Sequence, residues 1–238
     1  RSSGQQSLGY GRIEELFAGG RLQAPAGTLH LPPSPASAAG PDLRQLVLGS
    51  EGRLGILTEA VVRVRPVPER EVFLGFFFPD FDGALAAART LVQERLPLVM
   101  VRLSTARETE TTLRLAGRER LIGLLERYLA IRGAGAGKCM LLVGAAGRRR
   151  RVREALGAAK AIIRRHGGVS VGTIFGREWE KSRFRTPYLR NSLWEAGYAV
   201  DTLETAAPWR AVPVAVEAIE ERLQKALEIG RASCRERV

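Results

Sequence analysis

Three stretches of the chain bring together residue types that can do chemistry. The first is Gly49-Ser50-Glu51-Gly52-Arg53-Leu54-Gly55-Ile56-Leu57-Thr58, with a glycine at every third position from Gly49 to Gly55. Glycines admit positive φ and let a ligand approach the backbone closely. Successive backbone N–H groups can then cradle an anion such as a pyrophosphate. The same spacing fits a tight turn between a helix and a strand equally well. The second is Phe184-Arg185-Thr186-Pro187-Tyr188-Leu189-Arg190. A tyrosine beside two arginines can transfer a proton and bind an anion; a capped surface helix has the same composition. The third, Gly133-Ala-Gly-Ala-Gly-Lys138, approaches a P-loop but breaks its pattern. Arg132 stands where the first glycine is needed, and Cys139 replaces the Ser/Thr that would hold magnesium. It reads as a flexible connector. His30 and His166 are the only histidines, and Cys139 and Cys234 the only cysteines. None has metal-ligand or triad spacing, so no metal site is expected.

The elements that must position these residues follow from periodicity. Residues 21–31 read as two short strands around a Pro-Ala-Gly turn. Residues 32–40 form a Pro/Ser/Ala loop, and Asp42 caps a short helix containing Leu43, Leu46 and Val47. Residues 56–65 read as a strand stopped by Pro66 and Pro68. Beyond the prolines, residues 71–78 alternate, with Val72, Leu74, Phe76 and Phe78 on one face. A helix is expected over 82–96 with Leu85, Ala88, Val92 and Leu96 inward, a strand over 98–103, and helix over 108–131. A second unit follows: strand 138–143, helix 148–166, strand 169–175. Two strand–helix–strand units in series predict a ferredoxin-like α+β domain, with helices on one face of an antiparallel sheet.

With 238 residues, 45% hydrophobic and 26% charged, the chain has the composition of a globular protein. The net charge of +12 raises the question of a nucleic-acid partner. Its densest run, Arg148 to Arg151, has no interleaved aromatics, and no zinc-finger or RNP signature occurs. The run falls at the start of a helix and reads as a solvated face, so no nucleic-acid partner is expected. No apolar stretch is long enough to span a bilayer. The cysteine pattern suits a reduced, cytoplasmic setting.

Residues 213–228 have helical spacing, with Val216, Ile219, Leu223 and Leu227 on one stripe; residues 229–238 lose that period. These last residues match, position by position, the translation of a common sequencing-adapter sequence. The tail is therefore expected to lie outside the fold and to lack order, and the chain to be a fragment.

Read in order, these segments resemble the vanillyl-alcohol-oxidase (PCMH-type) superfamily of FAD-linked enzymes, and within it the alkyldihydroxyacetonephosphate synthase-like branch. The resemblance is carried by Arg1-Ser2-Ser3-Gly4, Tyr10-Gly11-Arg12-Ile13-Glu14-Glu15-Leu16, Gly40-Pro41-Asp42-Leu43, and Gly49 to Glu59. It continues through Arg65-Pro66-Val67-Pro68-Glu69, Val101-Arg102-Leu103, Tyr188-Leu189-Arg190, Thr202 to Ala206, and Trp209. It implies the C-terminal part of a PCMH-type FAD-binding domain over 1–67 and a substrate-binding cap over 68–228. FAD would be lined by Ser2, Ser3, Gly4, Tyr10, Gly11, Glu51, Gly52, Arg53, Leu54, Gly55, Ile56 and Leu57. Arg102 and Arg190 would bind an anionic small-molecule substrate, and Tyr188 would be the catalytic acid/base. The family's first glycine-rich segment would precede Arg1, and its histidine-rich segment would follow the last residue. A homodimer is compatible with this picture.

The eukaryotic ether-lipid synthases carry an arginine in the loop where this chain has Ala36 or a neighbour. The leading expectation is therefore an FAD-dependent oxidoreductase acting on a small hydroxy-acid or alcohol. The alternative is a flavin-dependent transferase of alkyldihydroxyacetonephosphate synthase type, with no net oxidation. A basic, non-enzymatic binding module is the third reading.

Overall fold

A computed structural model of the chain describes residues 4–35, 39–115, 119–184, 186–197 and 204–235. It divides into two compact units, Arg1–Thr186 and Pro187–Val238. The first unit opens with two single-turn helices, α1 (Ser7–Tyr10) and α2 (Ile13–Leu16), and continues into β1 (Phe17–Ala24) and β2 (Gly27–Leu31). Next come α3 (Leu43–Val47) and β3 (Ile56–Val62). The Asp42 carboxylate accepts the Arg44 N–H at 3.0 Å and so caps α3. The three strands form an antiparallel sheet in the order β2-β1-β3. Phe17, Leu22, Leu31 and Val47 make its small core. β3 is an edge strand exposed along its whole length, with Ile56 and Val62 among the exposed apolar residues.

After Pro66 and Pro68 a second sheet begins. Its elements are β4 (Arg70–Phe78), α4 (Phe81–Gln93), β5 (Met100–Ser104), α5 (Ala106–Leu115), α6 (Glu119–Ile131), β6 (Cys139–Gly147), α7 (Arg149–Arg165), β7 (Val169–Ser170) and α8 (Ile174–Ser182). The strand order is β5-β6-β4-β7 and every pairing is antiparallel. This is the expected ferredoxin-like arrangement, with each βαβ unit interleaved with the other.

One expectation fails. Helices cover both faces of this sheet, not one. Leu74, Phe76 and Phe78 of β4 pack with Leu141 and Val143 against α4 and α7. Phe73 and Phe77, on the opposite face of the same strand, pack with Met100, Met140 and Leu142 against residues of α5, α6 and α8. A strand apolar on both faces must be covered on both faces, and the alternation over 71–78 hides this because Glu71 and Gly75 interrupt the second face that Phe73 and Phe77 form. Three smaller differences have equally local causes. α4 turns Ala84, Ala87, Ala88 and Leu91 to the core and leaves Leu85 and Val92 half-buried, because alanines let a helix lie close to a sheet. The expected helix over 108–131 is two helices, α5 and α6. The expected strand over 169–175 ends at Ser170, and Phe175 lies in α8, where it and Trp179 pack one turn apart against the Phe73/Phe77 face. Arg148 to Arg151 are exposed, as expected for a solvated face.

The second unit holds α9 (Thr186–Glu195), a 3₁₀ turn (Trp209–Ala211) and α10 (Val212–Arg235). α10 does not stop where the apolar period ends at Ile229. The residues after it include Ala232 and no proline, and an established helix propagates at one hydrogen bond per residue added. No helix among the described residues is long and apolar enough to cross a membrane.

Candidate functional site

The sheet face bearing Phe73 and Phe77 floors a cleft of about 1390 Å³ in the first unit. Two sequence features build it. The first is the N-terminal segment, which crosses the sheet through α1: a Cβ placed on Gly9 would meet Val99 Cγ1 at 2.6 Å. The second is the pair α6 and α8, whose inner faces are Ile122, Leu125, Phe175 and Trp179. Around the cleft, α6 and α8 also present Leu121, Leu124, Tyr128 and Ile174, and Phe184 follows α8; these five are exposed. Leu121, Leu124 and Tyr128 recur at helical spacing, so they form one apolar stripe on α6.

Polar groups cluster at two places on this lining. Arg102 projects from β5 on the side opposite Val101 and Leu103, which pack into the α4/α7 core. Its Nη2 donates to Glu108 Oε1 at 2.6 Å, with the two side chains 34% and 45% exposed. The second cluster joins the N-terminal segment to β4 and α8. Gln6 Nε2 donates to Glu71 Oε1 at 2.7 Å. Arg183 Nη1 donates to Gln6 Oε1 at 3.3 Å and to Glu71 Oε2 at 3.2 Å. Trp179 Nε1 donates to Gln5 Oε1 at 2.6 Å. Tyr10 stands half-buried beside this cluster. Burial, and then the neighbouring Glu71 carboxylate, push its phenol above the ordinary value near 10, so the hydroxyl stays neutral.

The structure brings part of the expected site together. Gly4, Tyr10, Gly11 and Arg102 all line the cleft. Gln5, Gln6, Glu71 and Arg183 were missed by sequence reasoning, since two glutamines, one glutamate and one arginine at large separations give no motif. Tyr188 lies in α9 of the second unit with 71% of its surface exposed. Ser2, Ser3, the Ala36 position and the side chain of Arg190 fall outside the described residues.

The turn Glu51 to Gly55 does not line the cleft. It forms a separate exposed feature leading into β3, with Glu51, Arg53, Leu54, Ile56 and Leu57 exposed. Its backbone has positive φ at Gly49, Glu51, Gly52 and Gly55. No atom lies within 4 Å of a Cβ placed on Gly52. Among the described residues, the N–H groups of Glu51 and Gly52 donate to no protein acceptor. Two adjacent N–H donors on an open turn, Glu51 and Gly52, both with positive φ, can face an anion. An open turn of this kind fits the phosphate groups of a flavin dinucleotide. Among the described residues no group of three His, Cys, Asp or Glu side chains is placed to hold a metal.

Comparison with known proteins agrees with a flavin cofactor. Residues 67–233 match the family described as FAD linked oxidases, C-terminal domain. The alkyldihydroxyacetonephosphate synthase of Dictyostelium discoideum is 31% identical over 215 residues, covering 87% of this chain and 35% of that protein. A shorter similarity, 35% identity over 95 residues, links 39% of this chain to 17% of the mitochondrial D-lactate dehydrogenase [cytochrome] of Arabidopsis thaliana. A solved alkyldihydroxyacetonephosphate synthase structure superimposes with a TM-score of 0.74 at 28% identity, covering 94% of this chain and 44% of that one. The chain thus spans between a third and a half of the synthases it matches. With a ferredoxin-like sheet, a residue match over 67–233 and a glycine turn before it, this chain belongs to the FAD-linked oxidases, a family of flavin enzymes.

Proposed function

We propose that the enzyme containing this chain is a flavin-dependent transferase of alkyldihydroxyacetonephosphate synthase type. On this reading it exchanges the acyl chain of a phosphate-headed substrate for an alkyl chain without net oxidation. The observation that carries the proposal is the cleft. At about 1390 Å³ it is larger than the roughly 300–1,000 Å³ of ordinary small-molecule sites. Its apolar stripe, Leu121, Leu124 and Tyr128 with Ile174 and Phe184, suits a long hydrocarbon chain, and Arg102 suits an anionic headgroup. The similarity to synthases over most of the chain supports the same choice.

Cleft lining supports the roles of Arg102 and Tyr10, and the family resemblance those of Tyr188 and Arg190. Arg102 would bind the headgroup in place of Glu108. That pair is partly exposed, and pairs of this kind contribute about 0–1 kcal/mol, so an incoming phosphate can displace the carboxylate. Tyr10, kept neutral, would donate a hydrogen bond inside the cleft. The apolar wall would exclude water from the reacting end. Tyr188 would hold or release a proton at its Oη, with Arg190 beside it in sequence. When bound, the flavin supplies the electron-pair chemistry that side chains lack. Residues 1–67 would belong to the flavin-binding domain and 68–228 to the cap, in a cytoplasmic enzyme.

The second reading is the hydroxy-acid oxidoreductase, and the similarity to D-lactate dehydrogenase is what favours it. The holoenzyme separates the two. Incubation with an acyl-dihydroxyacetone phosphate and a fatty alcohol is expected to give an ether product and release the fatty acid. Bleaching of the flavin by D-lactate or glycolate, with no ether formed, would transfer the assignment to the second reading.

A further inference from the structure

The cluster of Gln6, Glu71 and Arg183 has no part in the roles above, yet it joins three elements far apart in sequence. Gln6 lies at the root of α1, Glu71 at the start of β4, and Arg183 at the C-terminal cap of α8. The Arg183 and Glu71 side chains are 21% and 17% exposed, the most enclosed ion pair among the described residues. Arg183 places its guanidinium 4.9 Å from the Phe184 ring centroid, 5.6 Å from Trp179 and 6.0 Å from Phe73. Its buried Nε has no hydrogen-bond partner. A guanidinium held by three rings and two oxygen acceptors, at the expense of its own Nε, has its orientation set by the Gln6 and Glu71 oxygens. Trp179 adds a second tie to the same strip of backbone through Gln5.

We infer that Arg183 and Glu71 are positioning residues for the Gly4–Gly11 segment. They latch its backbone onto the cap sheet, so that Gly4, Tyr10 and Gly11 keep one placement along the cleft. Gln6 is the contact through which they act. Lysine does not reproduce Arg183 here, because a compact ammonium lacks the broad guanidinium that lies within 6.0 Å of three ring centroids while its Nη1 serves both acceptors. The inference rests on the reading of Gly4, Tyr10 and Gly11 as flavin-lining; it is independent of which reaction follows.

The test uses the holoenzyme and needs no turnover. Flavin affinity and the visible circular dichroism of bound FAD are measured for Arg183→Met, Arg183→Lys, Glu71→Gln, Gln6→Met and the double variant Gln6→Met/Arg183→Met. Charge-assisted hydrogen bonds of this kind typically carry enough free energy for about a tenfold effect. Each single variant is expected to weaken FAD binding by about tenfold and to alter the dichroic band. The double variant should do little more than Arg183→Met alone, since both break one latch. Arg150→Met, which removes an exposed pair on α7, serves as the control and should change neither. Where Arg183→Met does not fold, Arg183→Lys and Glu71→Gln carry the test. Wild-type affinity and dichroism in folded Arg183→Lys and Glu71→Gln would overturn the inference, even if their urea midpoints fell. Gly11→Ala marks the other failure: Gly11 has φ 93°, so alanine strains the segment directly. If Gly11→Ala also leaves the flavin signal untouched, the flavin-lining reading is at fault; if it alone changes the signal, only the latch is.

Discussion

Alanine in place of glycine should have opposite signs at two helical positions of this fold. Gly176 lies in α8, where a Cβ would meet the Phe73 carbonyl oxygen at 2.2 Å and the Phe73 carbonyl carbon at 2.5 Å. Those are backbone atoms within β4, paired at this position to Gly144 of β6, so they do not move aside easily. α8 must retreat instead, loosening the Phe73–Trp179 and Phe77–Phe175 ring contacts at 4.7 and 5.4 Å. Overpacking of this type costs about 1–3 kcal/mol, against a helix-propensity gain of about 1 kcal/mol. With the clash against backbone, Gly176→Ala should lose roughly 1–2 kcal/mol net. Gly157, on the exposed side of α7, has nothing within 4 Å of its Cβ position. Gly157→Ala should therefore gain about 0.5–1 kcal/mol from propensity alone. Urea unfolding followed by tryptophan fluorescence, with Trp194 and Trp209 replaced by Phe to leave Trp179, measures both. At a typical slope the Gly176→Ala midpoint should fall by about 0.5–1 M with the slope unchanged. A Gly176→Ala protein as stable as wild type, or a destabilised Gly157→Ala, would refute the reasoning that helix-to-strand approach sets the geometry of the cleft wall.

Tyr188→Phe removes one hydroxyl from an exposed side chain, so stability should not change; if Tyr188 is the acid/base, turnover of the holoenzyme should fall by about 10²–10⁴-fold, and wild-type turnover would exclude it. Arg102→Lys keeps the charge but loses the planar fork, so it should raise KM for a phosphate-headed substrate more than it lowers kcat, as steady-state kinetics would show. The Tyr10 pKa is raised in the fold, so its contribution to stability is complete below the ordinary value near 10 and is lost as pH rises through the higher folded value. Urea midpoints of wild type should thus fall above about pH 10 more steeply than those of Tyr10→Phe. Asp42→Ala removes the α3 cap and the carboxylate that grips Arg44, which also donates to the Ala18 and Ser34 carbonyls. It should destabilise by about 1 kcal/mol in thermal melts.

The sequence was most legible where one residue type imposes one backbone outcome. Pro66 and Pro68 mark the change of sheet, Asp42 marks a helix start, and the glycines at 49, 52 and 55 mark a turn with left-handed φ. Arg102 could be placed on the face opposite Val101 and Leu103 from alternation alone. What stayed hidden depends on long-range packing. The run Phe73 to Phe78 shows one apolar face by alternation, but only the arrival of α5, α6 and α8 reveals that its second face is buried as well. The boundary of β7 is fixed by its short register with Phe76 and Phe77, which local propensity does not encode. The Gln6–Glu71–Arg183 cluster spans separations of 65 and 112 residues between paired groups, and no spacing rule links positions so distant. Function was divided in the same way: motifs in order pointed to the flavin family, whereas the size and lining of the cleft, which no motif contains, moved the proposed substrate from a small acid to a chain-bearing phosphate.

The cleft also couples occupancy to the melting behaviour of the first unit. Phe175 and Trp179 pack into the core on the Phe73/Phe77 face and line the cleft as well, so an apolar occupant completes a core that is otherwise open on one side. Ligand that binds only the folded state adds RT ln(1 + [L]/Kd), about 2.7 kcal/mol at a hundredfold excess over Kd. Covering the Leu121, Leu124 and Ile174 side chains should give the negative heat-capacity change that marks apolar burial. On the proposed reading, melting temperature should rise with the concentration of the chain-bearing substrate, and two preparations of identical sequence should melt at different temperatures if only one retains it.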